Sequence, residues 1–193
     1  MGRSQLSPAA QASAARALTG AVAAVLDDLP AGPVAAYASV GTEPGTRGLL
    51  AALRSVGRTV LLPLLLPDGD LDWAEHDGQL VPGPRGLLQP AGTPLGRTAV
   101  ADCALVVVPA LAVDRSGTRL GRGGGSYDRA LARTTGPVVA ALHRGELVER
   151  LPAEPHDRPV HAAVEPGAGL VRLRSHPALS LFPPAAGPGG MGP

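Results

Sequence analysis

Lysine is absent from this chain, so all 17 of its basic side chains are arginines. Against 16 acidic residues they leave a formal charge of +1, which excludes a global field steering the protein to nucleic acid or to an anionic membrane. Recognition of an anion must then be local. Aromatic residues make up only 2% of the chain, too few to build a stacking platform for single-stranded nucleic acid. Cys103 is the single cysteine, which rules out an intramolecular disulfide and argues against a thiolate metal cluster. It sits in an apolar segment and reads as core. No apolar run approaches the ~20 residues of a membrane span, and the opening residues lack the charged start and apolar h-region of a secretory signal. A soluble protein of the reducing cytoplasm is expected. Its 193 residues suffice for one α/β domain with a sizeable core.

Glycine and arginine are plentiful instead, and they concentrate in Asp114-Arg-Ser-Gly-Thr-Arg-Leu-Gly-Arg-Gly-Gly-Gly-Ser-Tyr-Asp128, followed by Arg129. Gly121, Gly123, Gly124 and Gly125 lie among three cations (Arg119, Arg122, Arg129) and two carboxylates (Asp114, Asp128). The apolar run Cys103 to Pro109 before the stretch reads as a buried strand, and Tyr127 to Arg133 after it as the start of a helix. A strand, a loop without Cβ atoms and a helix start bring backbone N–H groups up to phosphate oxygens, and the arginines add charge that the backbone cannot supply. The pattern predicts a polyphosphate loop. Glycine clusters also serve as linkers, but a linker has no need of so many charged side chains.

Along the chain, the pattern predicts a helix from Ser7 to Leu29, with Ser7 as N-cap and Pro8 as first helical residue. A strand over Pro33–Val40 follows, then the loop from Gly41 to Thr46, and a helix carrying Leu49, Leu50, Leu53 and Val56 closed by Gly57. Arg58–Leu66 reads as a second strand whose regular pairing stops at Pro63. Residues 67–94 lose the pattern and read as a functional arm or short ribbon. Strands are predicted at Ala104–Val108, Gly136–Leu142 and near His161–Val164, with a helix to Arg133 and a short helix before the last strand. Beyond Glu165 the Pro- and Gly-rich remainder reads as a loose tail, assigned to residues 171–193 beside a folded unit of 1–170. Alternating strands and helices predict a mostly parallel sheet covered on both faces, with ligands beyond the carboxyl ends of its strands. Glu43, the glycine stretch and the His143–Asp157 segment all follow strands and are expected to converge.

At Arg119-Leu-Gly-Arg-Gly-Gly-Gly-Ser-Tyr-Asp-Arg129 the sequence closely resembles the 5-formyltetrahydrofolate cyclo-ligase (methenyltetrahydrofolate synthetase) family, which carries an RLGxGxGYYDR-like signature. Val107-Val-Pro-Ala-Leu-Ala-Val-Asp114 is similar to the strand before it. Tyr37 to Glu43 with Thr46, Gly86-Leu-Leu-Gln-Pro90 and Leu151-Pro-Ala-Glu-Pro-His-Asp157 resemble further family segments in the expected order. The resemblance implies a single-domain, three-layer α/β/α sandwich and a reaction that consumes MgATP to close 5-formyltetrahydrofolate into 5,10-methenyltetrahydrofolate.

Carried over residue by residue, it places Arg119, Leu120, Gly121, Arg122, Gly123, Gly124, Gly125, Ser126 and Tyr127 at ATP, with Arg119, Arg122 and Tyr127 taking part in the chemistry. Asp128 and Asp157 would hold Mg²⁺. Glu43, with Ala38 nearby, would meet the pterin, and Gly124 and Tyr127 would line the junction of nucleotide and folate. Trp73 stands either against the folate or in packing under the arm. The family's basic opening helix is matched here only at its end, and Arg3 is taken as the survivor of its phosphate-binding cations. Ser126 replaces an aromatic residue and His161 an acid; His143, His156 and His161 show no metal-ligand spacing. The implied partner is the small folate substrate, with no nucleic acid or membrane, and a monomer or small homo-oligomer is expected. Two rival readings are a nucleotide- or folate-binding homologue that turns over poorly, and a sugar-phosphate isomerase or sensor on a similar fold.

Overall fold

The structure is a computed structural model that describes residues 2–174 and Leu179. A single 3-10 turn, Arg3–Gln5, leads to helix α1, Pro8–Ala23. Ser7 caps it as the sequence predicts: its side chain accepts from the Ala10 N–H at 3.2 Å, with Pro8 in the first turn. The helix ends earlier than Leu29. Past Ala23 the N–H groups of Val25, Leu26 and Asp28 bond three residues back, and the Arg58 guanidinium collects the carbonyls of Leu26, Leu29, Pro30 and Gly32.

Strand β1 is only Val34–Ala35, because from Tyr37 onward the chain turns onto its own loop. The Tyr37 hydroxyl donates to the Pro44 carbonyl at 2.8 Å, and Ser39 and Thr46 exchange side chain-to-backbone hydrogen bonds. Helix α2, Arg47–Ser55, buries Leu49, Leu50 and Leu53, whereas Val56 stands 63% exposed beyond its end. Gly57, at φ +77°, turns the chain into strand β2, Val60–Leu65.

Pro63 does not stop the pairing. Strand β2 runs antiparallel to β3, Leu71–Glu75, with Pro63 opposite Trp73. The bonds from His76 N to Val60 O and from Leu66 N to Asp70 O flank this pair, so Pro63 occupies a position of the ladder that requires no N–H. Its nitrogen faces the side where β1 has already ended. Strands β4, Leu80–Pro82, and β5, Leu88–Pro90, form a two-stranded ribbon. The segment predicted as an arm therefore splits into an edge strand of the main sheet and that ribbon.

A 3-10 segment, Arg97–Asp102, leads into β6, Leu105–Pro109. Strands β7, Ala112–Asp114, and β8, Arg119–Leu120, are followed by helix α3, Ser126–Leu131, and by β9, Val138–Ala141. In place of the predicted short helix a turn carries the chain into β10, Leu147–Val148. Strand β11, Ala162–Glu165, then pairs antiparallel with β12, Gly169–Arg172. Strand β12 and Leu179, which is buried in the core, belong to the fold although the sequence reads as a tail there; the rest of the expected tail lies outside the described residues.

The main sheet has the order β12-β11-β9-β6-β1-β2-β3, parallel from β11 to β2 and antiparallel at both edges. Alternation along its strands divides the core between the two faces. Val34, Val60, Leu62, Leu105, Val107, Val139 and Val164 face α1 and α2. Leu61, Val106, Val108, Val138 and Ala140 face α3 and the 97–102 segment. Each fully buried Val or Leu contributes about 1.5–3 kcal/mol. The outcome is the expected three-layer sandwich with a mostly parallel sheet. Strands β1, β6 and β9 are neighbours and parallel, so the loops that follow them leave from the same edge.

Candidate active site

The small sheet β10-β7-β8 delivers the glycine stretch to that edge. Asp114 organises the turn between β7 and β8. Its Oδ1 accepts from Ser116 N at 2.8 Å, Ser116 Oγ at 2.7 Å and Thr118 N at 3.0 Å, while Oδ2 accepts from Leu151 N at 2.9 Å. Burial pushes this carboxyl's pKa up, but those donors outweigh it and hold the group below the usual carboxylate range. With its lone pairs spent in this way, Asp114 is scaffold. A cleft of about 620 Å³ between Arg115, Ser116, Glu149 and Arg150 opens at this turn, at the other end of the hairpin from the glycine loop.

The loop itself, residues 121–125, is largely exposed. Gly123 and Gly125 take φ of +81° and +63°, which only glycine adopts without strain, and Gly125 caps α3. Among the described residues no neighbour lies within 4 Å of where a Gly123 Cβ would stand, so the backbone conformation is what requires glycine there. Leu120 is 46% exposed just ahead of the loop.

Three loops meet here. Arg122 Nη2 lies 3.3 Å from Glu43 Oε1, and Glu43 Oε2 accepts from Val40 N at 3.0 Å. Ala38, partly buried, lies on the same loop just past β1. Arg119, its side chain only 5% exposed, donates from Nη2 to Asp128 Oδ1 at 2.9 Å and sits 5.8 Å from the centre of the Tyr127 ring. Its Nε is buried with no partner among the described residues. Asp128 Oδ1 also accepts from Arg158 N at 3.2 Å, which brings it beside the residue that follows Asp157. Asp157 Oδ2 accepts from Glu154 N at 2.8 Å, and His156 Nε2 stands 3.8 Å from its Oδ1.

Among the described residues no three His, Cys, Asp or Glu side chains gather into a metal cage. Asp128 and Asp157 are instead two carboxylates on touching segments. That donor set suits an ion such as Mg²⁺, which takes one or two carboxylates and completes its shell with phosphate and water.

Burial drives the Tyr127 phenol's pKa well above its ordinary value; the nearby Glu43 charge adds to the effect and Arg119 opposes it. Tyr37 is raised by burial and then by Glu43 as well. Both stay protonated at neutral pH.

For two of the named residues the fold supplies other surroundings: one lies in the core and one pairs with Glu146. Trp73 is a core residue: its side chain is fully buried in the second core, with Nε1 unpartnered among the described residues, so no ring face is open to a folate. Its place on β3, opposite Pro63, points it inward. Arg3 directs Nε and Nη2 onto Glu146 at 2.6 and 2.7 Å and also donates to the Ala110 carbonyl.

The sequence reasoning missed the support beneath the loop. Ser126 Oγ donates to the Gly69 carbonyl at 2.5 Å, and Arg129 Nη2 donates to the same carbonyl at 2.6 Å and to Gly124 O at 3.1 Å. Next to Gly69, buried Asp70 accepts from Arg133 at 2.6 and 3.1 Å and from Arg97 at 3.0 Å. The signal was present in Pro67-Asp-Gly-Asp70, a turn with two acids inside an otherwise apolar region.

The Arg133 hydrogen bond leads the interactions that lower the Asp70 pKa from 3.8 to about 2. A depressed folded-state pKa stabilises above the unfolded value, and the gain disappears as pH falls through the folded one. Asp70 should therefore contribute about 2 kcal/mol above pH ~4, lost between there and pH ~2. Urea unfolding at pH 5 and pH 2.5 should show that difference in the native protein and a much smaller one in Asp70→Asn.

The fold and site define a class: a single-domain α/β sandwich whose candidate site gathers on loops following adjacent parallel strands. Residues 2–166 match the 5-formyltetrahydrofolate cyclo-ligase family, and the chain belongs to it. The 5-formyltetrahydrofolate cyclo-ligase of Mycolicibacterium smegmatis is 42% identical over 149 residues, covering 73% of this chain and 77% of that protein. The Escherichia coli protein of the same name is 35% identical over 141 residues, covering 69% and 77%. In three dimensions the 5,10-methenyltetrahydrofolate synthetase of Aquifex aeolicus superposes with a TM-score of 0.75 at 25% identity, covering 90% of this chain and 88% of that one.

Proposed function

We propose that this protein closes 5-formyltetrahydrofolate to 5,10-methenyltetrahydrofolate at the expense of ATP, releasing ADP and phosphate. The observation that carries the reading is the Arg122–Glu43 contact at 3.3 Å, which joins the glycine loop to the loop that resembles the family's folate-contacting segment. A formyl amide oxygen leaves poorly. In the proposed reaction it attacks the γ-phosphorus, the bond from that phosphorus to the bridging oxygen breaks, and ADP departs. N10 of the folate then adds to the activated formyl carbon. Loss of phosphate and of the N10 proton completes the methenyl bridge.

The residues divide this work. The backbone of Leu120, Gly121, Gly123, Gly124, Gly125 and Ser126 surrounds the phosphates, while Arg119 and Arg122 offset the charge that develops during transfer. Asp128 and Asp157 would hold Mg²⁺, which when bound neutralises phosphate oxygens. Tyr127 stays a phenol, so at the junction of nucleotide and folate it donates a hydrogen bond and does not act as a base. Glu43 accepts from the pterin N–H groups beside Ala38. Positioning supplies the rest of the rate, since N10 and the formyl carbon belong to one molecule.

The test is incubation of the purified chain with 5-formyltetrahydrofolate and MgATP while methenyl-folate absorbance is followed. Product that requires nucleotide supports the reading, and absence of both product and nucleotide binding ends it.

A further inference from the structure

Behind the Glu43 loop runs a chain of contacts that the reaction above does not use. His143 follows the end of β9 with only 2% of its surface exposed. Its Nε2 pairs with the Thr42 carbonyl at 2.9 Å. A carbonyl can only accept, so Nε2 carries the proton, and Nδ1 is buried with no partner among the described residues. The ring's polar hold is therefore a single contact, on the residue next to Glu43. The backbone N–H of His143 donates to Glu146 Oε2 at 2.7 Å. Glu146 is gripped in turn by the Arg3 guanidinium at 2.6 and 2.7 Å, with both side chains largely buried. A bidentate fork of this kind fixes direction as well as distance.

Glu43 has two holds of its own, on Val40 N and on Arg122, and both depend on where residues 40–43 sit. We propose that His143 and Glu146 are positioning residues for folate recognition: clamped by Arg3, they set the turn that aims the Glu43 carboxylate. Arg3 then acts on the folate side of the site through Glu146 and does not act as a ligand of the nucleotide. This inference rests on the reading that Glu43 meets the folate.

The test compares the full chain with His143→Leu, His143→Gln and Glu146→Gln. Leucine keeps the volume and loses the donor, whereas the glutamine amide can still donate to Thr42. His143→Leu should raise the KM for 5-formyltetrahydrofolate about tenfold while kcat and the KM for ATP stay within about twofold, and His143→Gln should restore most of the loss. Glu146→Gln keeps an acceptor for the His143 N–H but weakens the Arg3 fork, and should fall between them. Amide exchange of residues 39–46 in the ligand-free protein should quicken in the same order. Equal rises in both KM values, a fall in kcat alone, or loop exchange unchanged in His143→Leu would each overturn the proposal. If His143→Leu fails to fold, Glu146→Gln decides by the same two readouts. A native protein that does not turn over the folate would sink the proposed function, and the exchange order would still decide the coupling.

Discussion

Asp128→Ala is expected to lower turnover by about 100- to 1000-fold and also to destabilise the protein by about 3 kcal/mol. The first effect follows from the proposed place of this carboxylate on Mg²⁺ at the phosphates. The second comes from Arg119, whose side chain is 5% exposed, with Asp128 as its carboxylate partner at 2.9 Å. Removing one member of a nearly buried pair strands the other charge without compensation. The two roles separate in the Asp128→Ala/Arg119→Met double variant. A methionine of similar length removes the stranded charge and should recover most of the stability, as read by urea unfolding. Turnover should stay low, because both the carboxylate and the guanidinium are gone. A double variant that regains activity would show that neither the Asp128 carboxylate nor the Arg119 guanidinium takes part in the chemistry.

Gly117→Ala should cost about 3–5 kcal/mol and lower the melting temperature by about 10 °C. Gly117 sits at φ +89°, and an added Cβ would meet the Val160 carbonyl oxygen at a separation no two such atoms tolerate, with the Arg174 side chain 3.1 Å away. The obstacle is backbone, held in place by the bond from Val160 N to Gly117 O, so it has little room to give. Gly41→Ala is the control. Its φ is +58° with none of the described residues within 4 Å of an added Cβ, so it carries the conformational strain without the collision and should cost only about 1–2 kcal/mol. Gly117→Ala should reduce activity as well, because its turn holds Asp114, and Asp114 anchors the segment that runs from Leu151 to Asp157. Thermal melts of the two variants side by side check the difference.

Much of the architecture was legible because the apolar runs were short, β-branched and separated by clear helix signals. Ser7-Pro8 marked the start of α1, and Gly57 marked the turn out of α2. The errors trace to contacts made over long separations in sequence. Pro63 reads as a break in any strand, and only the antiparallel register with Trp73 shows that its missing N–H was never needed. Trp73 carries no mark that separates a ligand-facing ring from a buried one. The early end of α1 depends on Arg58, which gathers carbonyls 26–32 residues away in sequence. Gly69 and Asp70 were read as part of an irregular arm, since the arginines that hold them lie 27, 60 and 63 residues downstream.

What the chain's own pattern determined was the order of the main helices and of the parallel strands, together with the family, because hydrophobic period, capping residues and glycine requirements act over a few neighbouring residues. The tertiary structure decided which charges meet: Arg122 with Glu43, Asp128 with Arg119, Asp70 with Arg133, and Arg3 with Glu146. Pairing of this kind turns on angstrom-scale proximity between distant segments, and one-dimensional spacing does not encode it.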